Sequence, residues 1–385
     1  MEFATRAIHS GQEGETTHGD VVPPLHLTSI YAFDAPGETR AGFEYIRYGN
    51  PTRAALETCL AALENAPEDA PALCFSSGMA AIDCAMRLMR PGERVLIARD
   101  VYGGTVNLAR EVLQPAGITV AYADAIDVDA FAAAITPETR LVWIESPSNP
   151  LLRITDIAAV AAAAHRIGAL VGIDSTFATP YLQTPLDLGA DIVMHSTTKY
   201  LGGHSDLLGG VLVMRDVGLR QRLYTLQKLT GAVAAPFDCW LTLRGVRSLS
   251  ARMRVHEENA QAIAAYLQTH PRVLAVHYPG LPAHPQHALA CRQMRGFGGM
   301  VAFEIAGGGE AAKRLLQSTK VFSLAGSLGG VESILSYPSL MSHAALSGEE
   351  RAALGISDGL LRLSIGLEEI HDLIADLEQA LQAVG

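Results

Sequence analysis

Lys199 sits in the stretch His195-Ser-Thr-Thr-Lys-Tyr-Leu-Gly-Gly-His-Ser-Asp206, just beyond the apolar run Ala190-Asp-Ile-Val-Met194. A lysine held past a strand end, among small hydroxyl residues and glycines, can form a Schiff base with an aldehyde while hydroxyls and backbone amides hold an anion. The same segment also reads as a solvated lysine in a glycine-rich loop. Ser77-Gly78-Met79 opens a helical pattern, where free amides and the helix dipole favour a phosphate, although an ordinary N-cap has the same residues. Asp174 ends an apolar run, so its buried carboxylate needs a cation, either a pyridinium N–H or a structural arginine. Tyr102 beside two glycines can stack on a flat ring or serve as a turn residue.

The elements that must carry these groups alternate in type. Apolar runs occur at Ala72-Phe75, Arg94-Ala98, Ile118-Tyr122, Leu141-Glu145, Ala169-Asp174, Asp191-His195 and Gly210-Met214. Helical patterns lie between them at Met79-Met89, Thr105-Leu113, Val128-Ile135 and Thr155-Ile167. Such alternation implies an α/β domain with a mainly parallel seven-stranded sheet covered on both faces. Ligands bind outside the carboxyl ends of such strands, so Ser77, Tyr102, Asn149, Asp174, Ser196, Thr198 and Lys199 should share one edge.

Residues 1–50, rich in Pro, Gly and Thr, have little periodicity and no core of their own; they should lie on another surface, such as that of a neighbouring subunit. Residues 51–245 form the α/β domain. Residues 246–385, with strands at Val273-Tyr278, Met300-Ile305 and Leu361-Ile365 and helices at Glu310-Leu316 and Ile370-Val384, form a smaller α+β domain.

Bulk properties bound the function. At 385 residues, two domains are the natural expectation, and 49% hydrophobic with 18% charged residues describes a well-packed protein. A net charge of −11 without a long basic run argues against nucleic acid as a partner. The five cysteines include no Cys-x-x-Cys pair, and Cys74 and Cys84 lie in apolar surroundings as core thiols. The most apolar window, Ile157 to Ile173, is broken by His165, Arg166 and Gly168, and Met1-Arg6 lacks a signal-peptide apolar region, so a cytoplasmic protein without a membrane partner is expected.

Two other chemistries compete for the Lys199 segment. Ser196-Thr-Thr-Lys199 fits the Ser-x-x-Lys nucleophile of penicillin-binding proteins, but Lys-Thr-Gly is absent and Ser205-Asp206 lacks the following asparagine. His195, His204, Asp206 and Asp174 have no standard metal-ligand spacing, so no metal is expected. A non-catalytic protein that kept the fold has no support, since every chemical group is present.

Taken together, Ser77-Gly-Met-Ala, Tyr102-Gly-Gly-Thr, Ser146-Pro-Ser-Asn-Pro, Asp174-Ser-Thr-Phe-Ala-Thr-Pro, the Lys199 segment and Arg362-Leu-Ser-Ile-Gly resemble the Cys/Met-metabolism family of pyridoxal-phosphate enzymes. The resemblance runs from about residue 5 to the C-terminus. It implies a fold-type-I enzyme with pyridoxal 5'-phosphate as cofactor and small amino acids as substrates. By that resemblance Lys199 is the Schiff-base lysine and proton carrier, Asp174 holds the ring nitrogen, and Tyr102 stacks on the ring. Ser77, Gly78, Met79, Ser196 and Thr198 bind the phosphate, and Tyr45 and Arg47 reach the phosphate of a neighbouring subunit. Arg362 takes the substrate carboxylate, helped by Asn149 and Ser327. The resemblance further implies a homotetramer, a dimer of dimers with active sites shared across the dimer interface.

Some positions depart from the family pattern. Ile46 and Ser175 replace a serine and an asparagine without removing a catalytic group. Asn107 stands where many cystathionine-handling relatives carry arginine, and Gly326 where they carry glutamate. Glu44 remains to meet a distal ammonium. Gly103-Gly104, Gly203-His-Ser-Asp and Ser327-Leu-Gly-Gly-Val-Glu-Ser point to the cystathionine γ-synthase/γ-lyase group. Asn107 and Gly326 point to a methionine γ-lyase-like or homoserine-ester sulfhydrylase-like alternative.

Overall fold

The computed structural model describes residues 1–14, 18–344 and 346–384. Its larger sheet contains β1 (Leu73–Phe75), β2 (Arg94–Ala98), β3 (Thr119–Ala123), β4 (Thr139–Glu145), β5 (Leu170–Asp174), β6 (Ile192–His195) and β7 (Gly210–Val213). These are the seven expected apolar runs, each found within two residues of its expected ends. Their order across the sheet is β1-β7-β6-β5-β4-β2-β3. β7 is antiparallel to both its neighbours and every other pair is parallel, so six strands point their carboxyl ends to one edge. The inner strands are buried almost throughout, whereas β3 at the edge is only half-buried. Burial on both faces is why these strands read as continuous apolar runs and not as alternating ones.

Helices start where short polar side chains can take their free amides. Ser77, Asp127 and Asp156 accept from the amide three residues on, opening Gly78–Met86, Val128–Ala133 and Ile157–His165. The expected helix Thr105-Leu113 is instead an α-helix, Gly103–Leu108, continued by a π-helical turn, Ala109–Leu113. Close approach explains Gly172 in β5: a Cβ there would stand 2.4 Å from the indole of Trp143 in β4.

The second sheet holds β8 (Val273–His277), β9 (Met300–Ile305), β10 (Ser323–Leu324), β11 (Ile334–Ser336) and β12 (Leu360–Ser364), in the order β8-β9-β12-β11-β10. All its pairs are antiparallel except β10 with β11. Val301, Phe303, Leu361 and Leu363 pack there against Leu373 and Leu377 of the helix Ile370–Gln382.

The first 50 residues are not wholly without packing on this chain. The helix Phe3–His9 lies against the helices Pro51–Leu63 and Pro236–Arg247, with Ala7 fully buried and the Phe3 ring edge-on to Tyr181. Beyond it, Val21, Leu27, Ile30 and Phe33 are exposed, the last in a two-stranded hairpin, Phe33–Ala35 with Glu38–Thr39. Among the described residues no helix is long and apolar enough to cross a membrane.

Candidate active site

The carboxyl ends of β1, β4, β5 and β6, together with β12 of the second sheet, carry most of the expected groups, four of them in a bonded series. Lys199 Nζ donates to Ser327 Oγ at 2.5 Å. The Ser327 carbonyl accepts from Arg362 Nη2 at 3.0 Å, and Arg362 Nη1 donates to Asn149 Oδ1 at 2.7 Å. Ser327 reaches both partners from a left-handed backbone, φ +82°, a conformation costing a residue with a side chain about 1–3 kcal/mol. Arg362 is 5% exposed, and its Nε is buried without a partner. Fork geometry with an unpaired donor suits a carboxylate.

Charge in this cluster follows burial. Burial lowers Lys199 to about 8, helped by the Arg362 charge and opposed by Asp174. Burial pushes Asp174 above the usual carboxylate range, against its hydrogen bonds with Thr176 and the charges of His195 and Lys199. The Asp174 side chain accepts from Thr176 N at 3.0 Å, and no Lys, Arg or His among the described residues pairs with it. The structural-arginine alternative is thereby removed. A buried carboxylate lacking a cation, at the end of a strand, fits a pyridinium N–H.

Ser77 Oγ accepts from Ala80 N at 3.0 Å, so Ser77 is a helix cap. The helix starts at Gly78, and the amides of Gly78 and Met79 have no carbonyl within it to bond. A Cβ on Gly78 would meet Ser196 Cβ at 3.1 Å, so the helix start and the Ser196 turn face each other across a gap that only glycine leaves open. Ser196 N donates to Thr176 Oγ1 at 2.9 Å, and Thr198 Oγ1 donates to the Gly209 carbonyl at 3.2 Å. The helix-start amides of Gly78 and Met79 are the donors left for a small anion. A Cβ on Gly104 would clash with both the Tyr102 ring and Met79 Sδ, so Tyr102, 43% exposed, stands beside the same helix start.

Four expected residues lie outside this cluster. Arg47 Nη1 donates to the Lys228 carbonyl at 2.6 Å, and its guanidinium lies over the rings of Tyr45 and Tyr48. Glu44 and Arg47 help line an open cavity of about 670 Å³ with Tyr48, Tyr224 and Lys228; no residue of the Lys199 cluster is in its wall. Asn107 is exposed, and its Oδ1 accepts from Arg110 Nη2 at 3.1 Å. Of the remaining residues weighed, His195 Nε2 is bonded to Glu64 Oε1 at 2.6 Å in a fully buried pair, and His204 Nδ1 is held by the Gly202 carbonyl.

Sequence reasoning passed over Glu145, Thr176, Gly209, Arg110 and His343. Glu145 carries the signal used for Asp174, a charged residue closing an apolar run. His343 meets the backbone of Asn149, and burial with the Arg362 charge lowers it to about 4, which keeps it neutral; no spacing signal marks it.

A buried lysine of lowered proton affinity, an acid without an ion-pair partner, a tyrosine beside a helix start with free amides, and a buried arginine fork on one sheet edge are the groups a pyridoxal-phosphate enzyme needs. Residues 4–382 match the family described as Cys/Met metabolism PLP-dependent enzyme, and the chain belongs to that family. It is 53% identical to cystathionine gamma-synthase of Mycobacterium tuberculosis over 98% of this chain and 96% of that protein. It is 48% identical to cystathionine gamma-lyase of Dictyostelium discoideum, covering 99% and 97% of the two chains. Among solved structures, cystathionine gamma synthase of Xanthomonas oryzae in complex with cystathionine superposes with a TM-score of 0.96 at 46% identity, covering 100% of this chain and 98% of that one. The fold is therefore fold type I and the cofactor is pyridoxal phosphate.

Proposed function

We propose that this enzyme is of the cystathionine γ-synthase/γ-lyase type, catalysing γ-replacement or β/γ-elimination on cystathionine or a homoserine-derived amino acid. The observation that carries the reading is the bonded series Lys199–Ser327–Arg362–Asn149 next to a buried Asp174 that has no ion-pair partner among the described residues. Pyridoxal phosphate, when bound, supplies an aldehyde for amines to capture and a ring that stabilises negative charge on the adjoining carbon. Lys199 Nζ, neutral above about pH 8, is the base that takes the Cα proton and returns protons further along the substrate chain. Asp174 would keep a proton on the ring nitrogen, and Tyr102 would cover the ring face. Gly78, Met79, Ser196 and Thr198 would hold the phosphate, with Ser77 shaping the helix start. Arg362 takes the substrate carboxylate in a charge-assisted pair, oriented by Asn149 and Ser327.

Arg110 supports recognition of a long substrate. It donates to Asn107, next to its ion pair with Glu111, and so adds a guanidinium near a position where Asn107 alone offers none. Gly326, exposed with open space around it, and neutral Asn107 support the second reading, a methionine γ-lyase-like or homoserine-ester sulfhydrylase-like enzyme. Glu44 remains a candidate for a distal ammonium.

The proposal extends to assembly. Tyr45 and Arg47 would complete the phosphate site of a second subunit, in a homotetramer built from two dimers. Support comes from their separation from the Lys199 cluster and from the exposed apolar side chains of Leu27, Ile30, Leu229 and Phe237. The division into residues 1–50, 51–245 and 246–385 and a cytoplasmic location belong to the same reading.

The deciding experiment measures 2-oxobutyrate and pyruvate released from cystathionine, methionine, cysteine and homoserine esters, with and without added cysteine. Cystathionine, or a homoserine ester together with cysteine, should be turned over best. Methionine as the best substrate would replace the first reading by the second.

A further inference from the structure

Glu145 ends β4 directly beside Asp174 at the end of β5, and the reaction as described leaves it without a task. It is 4% exposed and pairs with no Lys, Arg or His among the described residues. Instead its two oxygens are taken by two backbone amides from different loops. Tyr102 N donates to Oε2 at 2.7 Å, and Asn149 N donates to Oε1 at 3.1 Å. A glutamine could satisfy only one of these amides, because its nitrogen is a donor and would face the other amide donor to donor. Burying a second carboxylate next to Asp174 is costly, and simple loop closure does not require it.

What the two amides share is their neighbours. Tyr102 carries the ring that flanks Met79 and Gly104. Asn149 holds Arg362 Nη1 through its side chain while its own backbone is held by Glu145. We propose that Glu145 is a positioning residue: one carboxylate anchors both the loop of the ring-covering tyrosine and the loop of the carboxylate clamp to the same strand end, so that ring and substrate carboxylate are placed relative to each other. The proposal rests on the roles given above to Tyr102, Asn149 and Arg362. A shift of the Asn149 loop passes to the Arg362 guanidinium, and small misplacements of a substrate clamp have large kinetic costs.

The test uses the holoenzyme and Glu145→Gln. The visible band of bound pyridoxal phosphate is followed while the protein is titrated with an amino acid and, separately, with the matching amine that lacks the carboxylate. The wild type should prefer the amino acid, and Glu145→Gln should lose about ten- to a hundred-fold of that preference, with KM rising more than kcat falls. In an Asn149→Ala background, Glu145→Gln should change the preference little further. A merely structural role would lower the thermal midpoint and leave the preference intact. Should Glu145→Gln not fold, Glu145→Asp, which keeps the charge but withdraws the oxygens by one carbon, carries the same test. A variant as selective as a selective wild type overturns the proposal alone. A wild type indifferent to the carboxylate overturns the Arg362 reading and this proposal with it.

Discussion

Two guanidinium groups beside aromatic rings are set into this chain in opposite ways. Arg362 is buried, held by Asn149 and Ser327, and close enough to Lys199 to depress its proton affinity. Arg47 lies over two rings and donates to a single carbonyl at the wall of an open cavity, next to a Tyr45 that is 39% exposed. The Arg362 region draws its groups from several segments of one chain and locks them by burial. The Arg47 region offers two cations, Arg47 and Lys228, and aromatic faces around an open cavity that neither Lys199 nor Asp174 lines. The Arg362 clamp is held by its own chain's packing, whereas the Arg47 region, on the proposed reading, serves the phosphate site of a second subunit.

The contrast is sharpest at Lys199. Lys199→Ala should cut turnover by on the order of 10³ or more, because base and cofactor attachment vanish together. Borohydride should fix the pyridoxyl group to the Lys199 peptide in the wild type and nowhere in the variant. Wild-type turnover in Lys199→Ala would undo the assignment of the whole edge. Next in size, Arg362→Lys removes the fork and both of its bonds. KM for the amino acid should rise about ten- to a hundred-fold, in keeping with about 1.5–3 kcal/mol for hydrogen bonds to charged groups. An unchanged KM would mean the carboxylate is read elsewhere.

Arg47→Ala tests the other side of the comparison. Affinity for pyridoxal phosphate should fall by about tenfold. Moreover, mixing inactive Lys199→Ala with Arg47→Ala subunits under exchange should restore activity in hybrids that combine an intact Lys199 with an intact Arg47. Failure of exchanged hybrids to exceed the Arg47→Ala protein would place Arg47 in its own chain's site. The last test is one of pH. With Lys199 lowered to about 8, the neutral amine that attacks the aldehyde accumulates as pH rises through that value. The rate at which cofactor-free enzyme gains its visible band should rise about tenfold per unit below pH 8 and level off above it. A rate still climbing towards the ordinary lysine value of 10.5 would show Lys199 to be solvated.

The strands of the large sheet were legible because burial on both faces leaves apolar runs such as Val95-Leu-Ile-Ala98 with no polar interruption. β10 and β11, of two and three residues, are too short for any periodicity, and the hairpin after Phe33 lies in a segment with no apolar pattern. The Lys199, Asp174 and Arg362 positions were visible from residue type and place in the element order. Glu145 carried the same signal as Asp174, but its purpose depends on two amides that only folding brings together. Arg110 was hidden for a geometric reason: it meets Asn107 because the chain coils on through the junction of an α-helix and a π-helical turn. The packing of Phe3–His9 on its own chain was missed because a seven-residue helix with one fully buried alanine leaves almost no amphipathic trace.

The contact between Trp143 and Gly172 has an optical consequence. The indole sits in β4, two residues before the strand end, against the strand that ends in Asp174, so about 7 Å of strand separates it from the ligand-facing edge of the sheet. Tryptophan emission overlaps the absorption of pyridoxal phosphate, and energy transfer over so short a path is efficient. The chain has two tryptophans, and the other, Trp240, is bonded to the Pro23 carbonyl beside the N-terminal segment. Loading of the cofactor can thus be read from the loss of Trp143 fluorescence, by a reporter the protein already carries in its core.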